Sequence, residues 1–143
     1  QRQPTRNRGI MPRIMYKPRP DKNEYIIWST VIDLPVYDVM DRDTAKEAWR
    51  AGACSIIGAP ISAEQAEESM VRADTKGWSI INGECPEYEG LNLANINDYP
   101  GPYDSGDFKI TDLAAVTRAI EAGDWDTLHN LMTELTRYED EDE

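Results

Sequence analysis

From residue 23 onward the apolar positions fall into short groups, each closed by a glycine, a proline or an acidic capping residue. The densest begins Tyr25-Ile26-Ile27-Trp28 and continues through Thr30, Val31 and Ile32. Its β-branched and aromatic content predicts a strand over residues 24–33, which Pro35 ends or confines to an edge. Residues 36–39 extend it briefly. Ala45, Ala48 and Trp49 then stand three and four residues apart, predicting a short helix capped by Asp43, stopped by Gly52 and buried along that face. Cys54-Ser55-Ile56-Ile57, bounded by Gly52 and Gly58, predicts a buried strand.

The next helix is marked at both ends. Ser62 with Gln65 three residues later forms a capping box, Lys76 lies in the last turn and Gly77 stops it. Ala63, Ala66, Met70 and Ala73 are its core face, while Glu64, Glu67 and Glu68 crowd the first two turns, where the helix dipole favours anions. Trp78-Ser79-Ile80-Ile81 predicts a third strand ended by Asn82-Gly83. Residues 83–106 are dominated by turn chemistry, with a strand at residues 91–96 as the element such a long loop would hide. Asp112 opens a helix carrying Leu113, Val116, Ala119 and Ile120, broken by Gly123. Asp124 caps another with Trp125, Leu128, Leu131, Met132 and Leu135 on one stripe, so the pair predicts an αα-hairpin. The expected fold class is therefore α+β: a small mixed sheet of three or four strands, packed helices and a C-terminal αα-hairpin. No internal repeat suggests an array.

At 143 residues the chain has room for one ordinary domain that buries a core without disulfides or a structural metal. The four tryptophans fall one per predicted element, as core anchors do, and are surrounded by acids rather than by the Lys and Arg of a base-stacking platform. No apolar run approaches the length of a membrane span. Residues 1–22 contain Pro4, Pro12, Pro18 and Pro20 and no apolar periodicity, so they read as an extended arm and lack the apolar stretch of a secretory signal. Because the chain starts at Gln1, either a leading segment has been removed or Met11 marks an alternative start.

Charge changes this picture most. Residues 1–22 hold Arg2, Arg6, Arg8, Arg13, Lys17, Arg19 and Lys22 against Asp21 alone, a balance of +6; the rest of the −12 chain holds eight basic and 26 acidic side chains, a balance of −18. The expected organisation is a basic Pro-rich arm at 1–22, a single acidic domain at 23–138 and an acidic tail at 139–143. An acidic body repels nucleic acid and anionic lipid, so nucleic acid would be met only through the arm, by Arg2, Arg6, Arg8, Arg13, Lys17 and Arg19; the same arm can instead lie along the body or an assembly neighbour. The body suits a basic protein surface. Asp38, Asp41, Glu64, Glu67 and Glu68 are the carboxylates expected to bind it, since their spacing sets several on adjacent solvent faces.

Signatures of chemistry are thin. His129 is the sole histidine, and its helical position between Leu128 and Leu131 reads as a boundary imidazole rather than as a base for Cys54 or Cys85. The two cysteines lack metal or redox spacing and fit reduced thiols in a cytoplasmic setting. Asp38, Asp41 and Asp43 fall within six positions, but Lys46 stands where a calcium loop needs glycine and Gly52 where it needs glutamate, so helix capping explains them better than a metal. Asn95, Asn97, Asp98, Asp104 and Asp107 form a second oxygen-rich group read the same way. Phosphate-binding glycine loops, Gly-x-Ser-x-Gly and zinc-protease helices are missing from the sequence, and neither metal nor cofactor is expected.

The run from Tyr25 through Trp28-Ser29-Thr30-Val31-Ile32-Asp33-Leu34-Pro35-Val36, followed by Arg72-Ala73-Asp74-Thr75-Lys76-Gly77-Trp78-Ser79, resembles small cytosolic proteins encoded by tailed phages of actinobacteria. In those, a Trp-Ser-Ser/Thr-Val-Val-Asp-x-Pro-Val strand precedes an Arg-Ala-Asp-x-x-Gly helix end. The resemblance covers residues 24–80 and brings no assigned activity, hence no functional residues. It implies a host-cell cytoplasmic or virion setting. The expected function is non-enzymatic binding of a host or phage protein through the acidic surface, as an inhibitor or nucleic-acid mimic. The alternatives are a structural assembly component using the arm and, behind it, a small metal-dependent enzyme.

Overall fold

The computed structural model describes residues 13–85, 90–94 and 103–137. Its first strand, β1 (Arg13–Tyr16), lies inside the segment expected to be an arm. It pairs antiparallel with β2 (Ile26–Ser29), placing Ile14 opposite Trp28, Met15 opposite Ile27 and Tyr16 opposite Ile26. β3 (Leu34–Pro35) closes the sheet on the other side of β2, and Pro35 sits at an edge, where its missing N–H costs no ladder bond. The single long strand expected over 24–33 is thus a hairpin: Ser29 O accepts from the N–H of Asp33, and Asp33 takes a positive φ of 57° to turn the chain.

Both faces of this sheet are buried. Ile14, Tyr16, Ile26 and Trp28 pack on one side with Leu93, Phe108, Ile110, Leu113, Val116 and Leu128. Met15, Tyr25 and Ile27 pack on the other with Ala45, Trp49, Ala66, Met70 and Ala73. A strand buried on both faces has no polar alternation, which is why β1 carries no period-two signal. The helices of the second side are α1 (Arg42–Ala48), running on into a π-helical turn (Trp49–Ala53), and α2 (Ala63–Lys76). Asp41 rather than Asp43 caps α1, accepting from the N–H of Thr44. The capping box of α2 is present in both directions, and Gly77 ends it at a φ of 94°. Ala66, Met70 and Ala73 face inward as expected, but Ala63 is exposed.

The other side holds a second three-stranded antiparallel sheet of β4 (Leu91–Ala94), β5 (Tyr103–Phe108) and β6 (Glu134–Arg137), with α3 (Leu113–Ala122) and α4 (Trp125–Leu131). A 3-10 turn (Ile110–Asp112) leads into α3. The fold is α+β with the expected helix pair, but its strands divide into two sheets. Leu135 is on β6, not on the α4 stripe, because the chain leaves the helix at Met132 and the N–H of Thr133 bonds Asp107 O. Two further expected strands are absent. Residues 54–57 form a turn that leaves Ile56 and Ile57 exposed, and residues 78–81 make one bridge, Trp78 to Tyr16, without a ladder. The expected tail at 139–143 lies outside the described residues.

Candidate protein-binding surface

Three of the basic residues expected in the arm are held by the folded body instead. Arg13 donates Nη1–H to Ala53 O at 3.2 Å, and Lys17 lies 4.0 Å from Asp74 and over the Tyr25 ring. Arg19 donates to Thr111 O at 2.8 Å and meets Asp112 at 3.4 Å. These three cations bind the body, so the boundary expected after residue 22 is displaced: β1 belongs to the folded domain. Arg2, Arg6 and Arg8 lie outside the described residues.

The five carboxylates expected to form one patch are separated by the fold. Asp41 is the cap of α1, and the Thr44 N–H and hydroxyl hold its carboxyl below the usual range. Glu67 turns toward α1, where the Arg42 guanidinium meets it with two parallel bonds of 3.2 and 3.1 Å and Lys46 lies at 3.1 Å. Those hydrogen bonds lower Glu67 to about 2. Arg42 also reaches Asp74, at 3.0 Å from Nε, and Asp74 accepts the Tyr25 hydroxyl proton. Burial first, and then Asp74, push Tyr25 up to about 12. This Tyr25–Asp74–Arg42–Glu67–Lys46 chain ties the residue preceding β2 to α1 and α2, and its partners are distributed over residues too far apart in sequence for spacing alone to join them.

Glu64 and Glu68 remain outward. Four residues apart on α2, they share its solvent face with Val71 and Thr75, opposite Ala66 and Ala73, and neither has an ion pair among the described residues. Asp38 lies elsewhere, beside Glu121 of α3; hydrogen bonding with Asp38 when a proton is shared, and then its like charge, raise the Glu121 carboxyl. The two line a shallow depression of about 340 Å³ with Val39, Thr117 and Arg118.

Cys54 and His129 meet different neighbours. The Cys54 thiol points at Ala59 O, and burial pushes it up; His129 packs its ring on Tyr103, with centroids 5.7 Å apart. Asp107 accepts from the Asn92 amide at 2.6 Å, while Asn95, Asn97 and Asp98 lie outside the described residues. Among the described residues no three His, Cys, Asp or Glu side chains are grouped to hold a metal ion, and no helix is long and apolar enough to cross a membrane. No family model, curated protein or solved structure matches the chain.

Proposed function

We propose that this chain is a non-enzymatic binding protein that meets a basic surface on a host or phage protein through its outward carboxylates, centred on Glu64 and Glu68. One observation carries the reading: most of the described cations are engaged by carboxylates or carbonyls of the fold, while Glu64 and Glu68 have no ion pair among the described residues. Arg42 and Lys46 pair with Glu67, Arg42 and Lys17 with Asp74, Arg118 with Glu24 and Arg19 with Asp112, while Arg72 and Lys76 donate to the carbonyls of Ser79 and Ile81. The surplus of acid over base is therefore left at the surface, where its field accelerates encounter with a cationic partner and disfavours anionic ones. The resemblance to actinobacterial phage proteins makes a host or phage protein the partner class, with inhibition by occupying a nucleic-acid groove as the mode. The assembly reading rests on Arg2, Arg6 and Arg8, since Arg13, Lys17 and Arg19 bind the body.

The test begins with a partner captured from an actinobacterial host lysate at low salt and released at high salt. Association rates are then measured for the wild type and for the Glu64→Gln/Glu68→Gln double variant over a range of salt. A slower association with a flatter salt dependence and an intact fold is expected. Unchanged rates and unchanged salt dependence would reduce the acidic face to a solubility device.

A further inference from the structure

A groove of about 420 Å³ opens between the C-terminal end of α1, the π-helical turn and the loop of residues 52–58, its lining including Arg13, Tyr37, Ala48, Ala51, Ala53 and Ile56. Its loop is rigidly closed. Gly52 has a φ of 130°, and a Cβ there would sit 2.4 Å from Gly58 O; the N–H of Ser55 bonds Gly52 O, and that of Gly58 bonds Ser55 O. The closure holds Ile56 outward at 56% exposure and Ile57 at 81%, in a sequence whose apolar run predicts burial. An apolar rim fixed in solvent by a tight loop is a feature of binding surfaces.

Arg13 identifies what the rim would receive. Arg19, Arg42, Arg50 and Arg118 each pair with a carboxylate. Arg72 bonds Ser79 O and Ser69 Oγ, and Arg137 lies over the Tyr103 ring; Arg13, in a chain with 27 acidic residues to 15 basic ones, pairs with no carboxylate among the described residues, has one carbonyl partner at Nη1, and keeps a buried Nε–H without an acceptor. A half-buried guanidinium beside an apolar groove attracts a carboxylate more strongly than a solvated one does, and the planar fork suits it geometrically.

We propose that this groove docks a partner's peptide segment in which an aspartate or glutamate is flanked by aliphatic side chains, the carboxylate meeting Arg13 and the aliphatic groups packing on Ala51, Ala53 and Ile56. The surface is separate from Glu64 and Glu68 and takes the opposite charge. The acidic face would steer the encounter while the groove selects a short motif, so the two can fail independently.

The experiment titrates the isotopically labelled full chain with acetyl-Leu-Glu-Leu-Ile-amide and with its Gln counterpart, following backbone amide shifts. Saturable shifts at Ala51, Gly52, Ser55 and Ile56 are expected, about tenfold weaker for the Gln peptide. Arg13→Gln should erase the preference for Glu over Gln. Because Arg13 is on β1 and its loss can disturb the strand, Ile56→Ser, at an exposed position, provides the second arm and should weaken both peptides. Equal affinity for the two peptides, or no shift at these amides at millimolar peptide, overturns the proposal. So does the appearance of the same shifts when the protein alone is concentrated, which would make the groove a contact between two copies.

Discussion

At the residue scale, the polar chain from Tyr25 to Lys46 shows how two acids that look alike in sequence come to do different work. Glu67 and Glu68 are neighbours on α2, yet the 100° step between them turns one toward Arg42 and the other to solvent. Glu67 is depressed from 4.5 to about 2 in the fold. A carboxylate whose folded value lies below its unfolded one contributes stability above the unfolded value and loses it as pH falls through the folded one. Glu67→Gln should therefore flatten the acid limb of the stability curve between about pH 4.5 and 2, as read by urea denaturation at a series of pH values; an unchanged limb would mean that the pair persists no better than an exposed one. Tyr25→Phe removes the hydroxyl bonded to Asp74. It should cost about 1.5–3 kcal/mol, the range for a hydrogen bond to a charged group, with the Asp74–Arg42 contact retained.

At the scale of elements, β1 decides where the domain begins. Met15 and Tyr16 are fully buried on opposite faces of the first sheet, and the outer edge of the strand is covered by Gly77 and Ser79, whose backbone groups bond Lys17 and Met15. Deleting residues 1–12 should shift the melting temperature by only a few degrees, whereas deleting 1–16 should abolish the cooperative transition, and Met15→Ala alone should cost about 2–5 kcal/mol. A chain lacking residues 1–16 that melts like the full one would return β1 to the arm. The α2 helix was legible from Ser62, Gln65 and Gly77 because caps are local chemistry, and the Gly123 stop of α3 was legible for the same reason, whereas Asp112 at its start makes no capping bond. β1 was not, since a four-residue strand buried on both faces between prolines has neither alternation nor length. Apolar content also misled at residues 54–57, where Gly52 turns the backbone and the isoleucines outward. The candidate surface was half legible: its acids are visible in the sequence, but which of them the cations hold inward depends on contacts between elements.

At the scale of the whole molecule, a net charge of −12 means that outward carboxylates repel one another in the folded state, and each needs a reason to be there. Glu64 has a local one, because in the first turn of α2 it favours the helix dipole by about 0.3–1 kcal/mol. Glu68 is a turn further along and lacks that compensation. Glu64→Gln should therefore lower the melting temperature slightly, while Glu68→Gln should leave it unchanged or raise it. Salt separates repulsion from pairing in the same molecule. Exposed like charges are screened within a Debye length of about 10 Å at 0.1 M, while the partly buried Arg42–Glu67–Asp74 contacts are screened less. Raising sodium chloride from about 20 mM to about 0.5 M should then raise the wild-type melting temperature, and raise that of Glu68→Gln by less. A melting temperature that falls with salt would show that the inward ion pairs outweigh the surface repulsion. In that case Glu68 carries no folding cost, and its exposure no longer argues for a partner.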